Sequence, residues 1–283
     1  MGIKRDLLLN TAAIAPNWWS SRLQNPVFIV GCARSGTTIL SEWFHHHYDV
    51  ANLSEANDIW DPSGYPWASS SYGKDSPPIW IDPEAYTARW WRDNERRQTK
   101  TRAIFGVYQT VKRAKVFVNK TPLNTFRIPQ LLKTFPEARF VHLVRDGRAV
   151  TQSYAKKQRH DMNKDVEVYR ALGYDYPFEE LALKLAAYWQ RTIDEVTLRE
   201  QQFNLTAKGQ MLEIKYDDLC SQTDATLEKL CQYMGIQKDR FKPEAQQIQM
   251  KDQDYKWRTE LSPEIIAATQ QLQANGLKRW GYV

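Results

Sequence analysis

The chain has 283 residues, 42% hydrophobic and 25% charged, an ordinary composition for a globular protein large enough to bury a sizeable core in one domain. It has no apolar run of about 18 residues, which argues against a transmembrane helix, and its three cysteines lack metal spacing and have an odd count, which fits a reducing cytoplasm better than a disulfide scaffold. The net charge of +6 suits a polyanionic small ligand; it is scattered, with clusters at Arg89 to Arg102 and Lys112 to Lys120, which favours such a ligand over nucleic acid.

Residues 1–25 read as an amphipathic helix and a loop leading into the first strand. A signal peptide is the lesser reading, because Asn10 and Thr11 break its apolar core. Val27 to Val30 is a short β-branched apolar run of the kind found in buried parallel strands. Gly31 ends it, Cys32 to Gly36 is a tight turn, and Thr37 opens a helix with Ile39, Leu40, Trp43 and Phe44 at helical spacing. Strand, glycine-bounded loop and helix make a phosphate cradle, where loop N–H groups and the positive end of the helix dipole converge. Gly31 and Gly36 have the spacing of a nucleotide P-loop, but Thr37 stands where its lysine belongs and a cation, Arg34, sits inside the loop instead. With no evident aspartate for Mg²⁺ downstream, the expected ligand is a nucleotide phosphate without a Mg²⁺-triphosphate.

His45, His46 and His47 end the first helix. Neighbouring helical residues point about 100° apart, so they do not converge on one metal ion. Asp49 to Leu53 reads as a second parallel strand, with Glu55 just beyond it. Residues 60–80 are dense in Pro, Gly, Ser and aromatics; they form a long loop within an inserted lid or acceptor region over 60–105. There Trp60, Tyr65, Trp67, Tyr72 and Trp80 either wall a flat acceptor pocket or pin the loop to the body. A helix is expected over Asp82 to Lys100, a strand over Lys115 to Asn119 with Lys120-Thr121-Pro122 at its end, and a helix over 123–135. Arg139 to Val144 is the next strand, with Arg145 at its C-terminal end; Asp146 caps the helix that follows, and His142 is a packed strand histidine. Phe178 to Gln202 is a long amphipathic helix, Gln210 to Tyr216 the last strand, and Thr223 to Met234 a helix ended by Gly235. A polar loop over 248–260 precedes a final helix marked by Ser262, Pro263 and Glu264.

ARSGTT after an apolar strand resembles the 5′-phosphosulfate loop of the sulfotransferases that use 3′-phosphoadenosine 5′-phosphosulfate (PAPS). RFVHLVRDGRAVTQSY resembles their 3′-phosphate motif, and the two lie in the family's order at about its separation. The resemblance runs from about Pro26 to the C-terminus, closest to the branch of the tyrosylprotein and bacterial small-molecule enzymes. It implies about five central strands with the site at their C-terminal ends. It also implies that Arg34, Ser35, Gly36 and Thr37 or Thr38 hold the 5′-phosphosulfate, and that Arg145 and Ser153, eight residues apart, take the 3′-phosphate. Arg145 offers a planar fork of donors, and Lys157, one turn past Ser153, adds charge. Tyr216, in a segment similar to the family's Tyr-Glu-Asp-Leu, lies near the nucleotide, and Lys256, Trp257 and Arg258 resemble the C-terminal segment that covers the 3′-phosphate and adenine. Glu55 lies 21 residues after Arg34, as the base of the tyrosylprotein enzymes follows its loop arginine; Asp58 and Asp61 are its nearby rivals. Cytosolic family members carry Lys-Thr-His where this chain has Lys120-Thr121-Pro122. Proline takes no proton, so the base is not at this strand, while Lys120 remains a cation for the leaving oxygen.

Together these features predict a three-layer α/β/α domain with a parallel sheet and a sulfotransferase that moves sulfonate from PAPS without a metal. The acceptor reads as a small molecule, such as a secondary metabolite, or a glycan or lipid; hydroxyl or nitrogen, and the oligomeric state, stay open. The alternatives are a P-loop kinase, which requires Mg·ATP, and a non-catalytic nucleotide or polyanion-binding module.

Overall fold

The computed structural model describes residues 5–55, 78–83 and 95–283. Its centre is a sheet of five strands, β1 (Pro26–Val30), β2 (Val50–Asn52), β3 (Val116–Lys120), β4 (Arg139–Val144) and β5 (Met211–Lys215), in the order β2-β3-β1-β4-β5. Every pairing is parallel, and β1 and β3 are buried along their whole length. A sheet covered on both faces needs apolar residues on both, which is why these strands read as continuous apolar runs instead of alternating ones.

The helices, in chain order, are α1 (Arg5–Ile14), α2 (Pro16–Arg22), α3 (Thr37–His45), α4 (Glu95–Lys112), α5 (Ile128–Thr134), α6 (Gly147–Lys164), α7 (Val166–Ala171), α8 (Phe178–Phe203), α9 (Tyr216–Ser221), α10 (Thr223–Met234), α11 (Trp257–Glu260), α12 (Pro263–Leu272) and α13 (Ala274–Trp280). They form two outer layers. Phe28, Phe117 and Phe140 point to one face, where they meet α1, α4 and α5 through Leu8, Phe105 and Leu131. Val27, Ile29, Val118 and Val141 point to the other and meet α3 and α10 through Leu40, Phe44, Leu230 and Met234. Successive strand residues therefore serve opposite layers, the two-residue period of a pleated strand. A third apolar cluster joins α6 to α8 and the C-terminal helices through Val150, Leu185, Trp189 and Leu277.

The expected strands and the helices after the cradle and after β4 are present, with several differences. The N-terminal segment is two helices, because Pro16 starts α2 at its first turn. The stretch expected as one helix over 123–135 is a 3₁₀ turn, Pro122–Arg127, followed by α5. Pro129 lacks an N–H and is tolerated only in a first turn, so the α-helix begins at Ile128. β5 ends at Lys215 and Tyr216 opens α9. Of the helix expected over Asp82 to Lys100, residues 84–94 lie outside the described residues, and α4 continues to Lys112. The loop expected over 248–260 ends in the short helix α11, and the single final helix is two, α12 and α13, with Ser262 capping α12 by accepting from the Ile265 amide. Gly235 ends α10 at φ +72°, and Asp146 caps α6 by accepting from the Arg148 amide at 2.8 Å. Among the described residues, no helix is long and apolar enough to cross a membrane.

Candidate active site

The loop between β1 and α3 sits at the C-terminal end of the central strand, flanked by the ends of β3 and β4. Binding crevices of open parallel sheets form at such ends. Arg34 (φ +71°) and Gly36 (φ +91°) both adopt left-handed backbone conformations, which turn the chain into the helix. A Cβ on Gly36 would lie 2.7 Å from the ring of Tyr216, so only glycine lets α9 pack against the loop. The Gly31 amide donates to Thr125 Oγ1 at 3.0 Å, tying the loop's start to the 3₁₀ turn after β3. Thr37 is buried and Thr38 exposed. The first-turn amides of α3 have no intrahelical acceptor. Ser35 Oγ is buried with no hydrogen-bond partner among the described residues. A buried hydroxyl without a partner in a loop that faces a helix N-terminus fits an anionic oxygen as its missing partner.

At one end of this cradle Lys120, the last residue of β3, is 1% exposed. Its Nζ donates to Thr38 Oγ1 at 3.0 Å and contacts Glu55 Oε1. The Glu55 amide donates to the Lys120 carbonyl at 2.7 Å, and Glu55 holds φ +43°, so its backbone is fixed to the end of β3. The Glu55 side chain remains 52% exposed. A buried ammonium thus faces both the cradle and a carboxylate open to solvent.

At the other end Arg145 follows β4. Its carbonyl accepts from Trp189 Nε1 at 3.1 Å, and its guanidinium lies 4.4 Å from the Tyr216 ring centroid. Nη1 donates to the Arg34 carbonyl at 2.9 Å, while Nε and Nη2 reach Asp254 Oδ1 at 2.8 and 2.7 Å. The Tyr216 hydroxyl donates to the Lys251 carbonyl at 3.0 Å, so the polar 248–256 loop is tied to both residues. Burial pushes the Asp254 carboxyl upward and the Tyr216 phenol well above its ordinary value; Arg145 opposes both shifts. Arg34 Nε donates to Ser153 Oγ at 3.4 Å. Beside them opens a cleft of about 450 Å³ lined by Arg34, Ser153, Lys156, Lys157, His160 and Lys256, together with Gln152 and Gln253. Lys157 pairs with Asp161 on its own helix, and Lys156 with Glu260 at 3.1 Å.

The structure therefore brings Arg34, Ser35, Gly36, Thr37, Thr38, Glu55, Lys120, Arg145, Ser153, Lys157, Tyr216 and Lys256 to one end of the sheet. Trp257 and Arg258 are placed differently. Trp257 is buried in the α6–α8 cluster with the Arg148 and Arg258 guanidinium carbons each 4.4 Å from its ring centroid, and neither residue lines the cleft. Trp80 is 6% exposed and lines a separate cleft of about 260 Å³ with Tyr176, Lys184, Tyr188 and Arg191. Trp60, Tyr65, Trp67, Tyr72, Asp58 and Asp61 lie outside the described residues. His46 faces Glu42, and His47 bonds the Gln237 carbonyl. Among the described residues, no three His, Cys, Asp or Glu are grouped to hold a metal ion.

Residues 26–240, which carry the cradle, Lys120 and Arg145, match the model of the sulfotransferase family. The chain belongs to this family. This sulfotransferase is 25% identical, over 91% of its length and 75% of the relative's, to omega-hydroxy-beta-dihydromenaquinone-9 sulfotransferase Stf3 of Mycobacterium bovis; the Mycobacterium tuberculosis protein of that name matches equally. Its fold is similar to the crystal structure of sulfotransferase STF9 from Mycobacterium avium, with a TM-score of 0.64 at 14% identity over 96% of this chain and 81% of that one. It is also similar to the sulfotransferase domain of the curacin biosynthetic pathway, with a TM-score of 0.56 at 18% identity over 90% and 98%. Family membership sets the kinase alternative aside, in keeping with the absent P-loop lysine. The candidate site also holds residues not singled out by the sequence motifs. Lys156 and His160 share a helical face with Ser153 and Lys157, a spacing visible in the sequence. Asp254 gave no signal, since nothing in a polar loop marks which carboxylate folds back onto β4.

Proposed function

We propose that this sulfotransferase moves the sulfonate group of PAPS onto a hydroxyl of a small-molecule acceptor and releases adenosine 3′,5′-bisphosphate. The observation that carries this reading is the Lys120 ammonium, joined at once to Thr38 of the cradle and to Glu55. The 5′-phosphosulfate lies against the loop amides, Ser35, Thr38 and Arg34. Glu55 takes the proton as the acceptor oxygen forms its bond to sulfur. The bond between sulfur and the bridging oxygen breaks, its electron pair stays on the 5′-phosphate, and Lys120 stabilises the charge gained there. At the other end the 3′-phosphate sits between Ser153, Lys157 and Arg145, with Lys256 alongside.

The Stf3 relatives are named for an omega-hydroxy menaquinone derivative, a lipid carrying a hydroxyl. That favours a hydroxyl on a lipid-like molecule over a glycan, and the cleft bounded by Trp80, Tyr176 and Tyr188 offers aromatic walls for one. The test is calorimetric titration with adenosine 3′,5′-bisphosphate beside 5′-AMP and Mg·ATP. Micromolar binding of the bisphosphate with a large loss for 5′-AMP supports the donor, and preference for Mg·ATP overturns it.

A further inference from the structure

The 3′-phosphate role given above to Arg145 meets a competitor. A guanidinium grips a phosphate best with two parallel N–H groups on one edge. On Arg145 the Nε and Nη2 edge is taken by Asp254 Oδ1, one Nη1 donor is taken by the Arg34 carbonyl, and the Tyr216 ring covers a face. Arg145 is 8% exposed, and it is absent from the lining of the 450 Å³ cationic cleft next to it. Its partner is an incomplete one. Both of these Arg145 donors converge on a single carboxylate oxygen, and the other, Asp254 Oδ2, is buried with no hydrogen-bond partner among the described residues. Burial also works against the charged form of Asp254, which Arg145 offsets only in part.

A carboxylate held this way binds less well than a phosphate dianion, which presents three oxygens and about two charges. It sits on a polar loop, 251–256, and not on a strand, so it can leave without disturbing the sheet. Arg34 joins the fork to the cationic cleft, since its carbonyl accepts from Arg145 Nη1 and its Nε donates to Ser153 Oγ, and Lys157 lines that cleft.

We propose that Asp254 is a built-in competitor for the donor's 3′-phosphate. It occupies the Arg145 fork when the nucleotide is absent, is displaced when the nucleotide binds, and returns to help expel adenosine 3′,5′-bisphosphate after transfer. The inference rests on the PAPS reading. It assigns Asp254 to nucleotide affinity and product release and not to chemistry.

The test is calorimetry of the bisphosphate and of 5′-AMP on the full chain and on the Asp254→Asn, Asp254→Ser, Arg145→Ala and Arg145→Ala/Asp254→Asn variants, with melting temperatures to verify folding. Freed from its competitor, the fork should bind the bisphosphate about tenfold more tightly in both Asp254 variants, the worth of one charge-assisted hydrogen bond. Binding of 5′-AMP should stay within about twofold, and the double variant should match Arg145→Ala. Stopped-flow displacement should show slower release of the bisphosphate from Asp254→Asn. Unchanged or weaker bisphosphate binding in folded Asp254 variants would overturn the inference and make Asp254 a residue that positions Arg145 for phosphate. Tightening that persists without Arg145 would overturn it equally. If the unaltered protein binds Mg·ATP and not the bisphosphate, the donor reading itself falls, an outcome distinct from the other two.

Discussion

Lys120 Nζ bridges Thr38 and Glu55, residues 82 and 65 positions away in sequence. The buried ammonium connects the anion cradle to a carboxylate that keeps an open face to solvent. Under the proposed reaction a charge placed there has two tasks, to hold the transferring group and to orient the base.

These tasks separate in kinetics. Glu55→Gln keeps the shape and removes the proton acceptor, so turnover with PAPS should fall by roughly 10²- to 10⁴-fold while bisphosphate affinity stays within about threefold. Lys120→Met should lower turnover by about 10²- to 10³-fold and weaken bisphosphate binding as well. Steady-state rates beside calorimetry decide it. Full activity in Glu55→Gln would remove Glu55 as the base.

Gly36→Ala tests the cradle's shape. Its new methyl group meets the Tyr216 ring at 2.7 Å, and the backbone holds φ +91°. The variant should lose roughly 1–3 kcal/mol of stability and bind the bisphosphate more weakly, read by thermal unfolding and calorimetry. Unaltered binding would mean that Tyr216 yields without moving the loop.

The cysteines test how closed the cradle's underside is. Burial pushes the Cys32 thiol up to about 12, partly offset by a hydrogen bond with Thr192, and burial does the same for Cys231. A thiol reacts as its thiolate, so both should resist a disulfide reagent at about pH 8, while Cys220, which is half-buried, reacts first. Three thiols should appear on denaturation. Prompt reaction of Cys32 in the folded protein would show that the loop opens.

A pH effect should come from the far edge of the sheet. Burial alone would raise the Glu213 carboxyl; the hydrogen bond and charge of His142, helped by Arg279, outweigh it and hold the group below its ordinary value. A lowered carboxyl adds stability that is present above its unfolded pKa of about 4.3 and is lost as pH falls through the lower folded value. Glu213→Gln should therefore show a smaller drop in melting temperature between about pH 5 and 3. An equal drop in both proteins would mean that the His142 contact adds nothing.

Much of the sheet was legible because buried parallel strands leave a mark that needs no partner. Val27 to Val30 and Arg139 to Val144 are apolar runs bounded by glycine or charge, and both became strands. The cradle was legible because its backbone demands glycine at position 36, where the structure has φ +91° and a ring overhead. Capping by Asp146 and Ser262 was legible for the same local reason. What escaped was non-local. The contact of Arg145 with Asp254 spans 109 residues, and a polar loop has no periodicity to reveal it. The packing of Trp257 between Arg148 and the α6–α8 cluster is non-local in the same way, and the resemblance of its segment to a nucleotide-covering one gave no sign of it.

The order β2-β3-β1-β4-β5 has a consequence for how such a site can change over time. Lys120 ends β3 and Arg145 follows β4, the two strands that border β1, and register sets Lys120 level with Ile29 while Ile29 is level with Val141. The gap between the two cations is thus gauged by a pair of inter-strand steps, each about 4.8 Å, together with a fixed number of residues along β4. Backbone hydrogen bonds between the strands keep that gauge. Loops around the sheet can lengthen, shorten or diverge while the span between the two cations is kept, and a gain or loss of residues within β1, β3 or β4 would reset it.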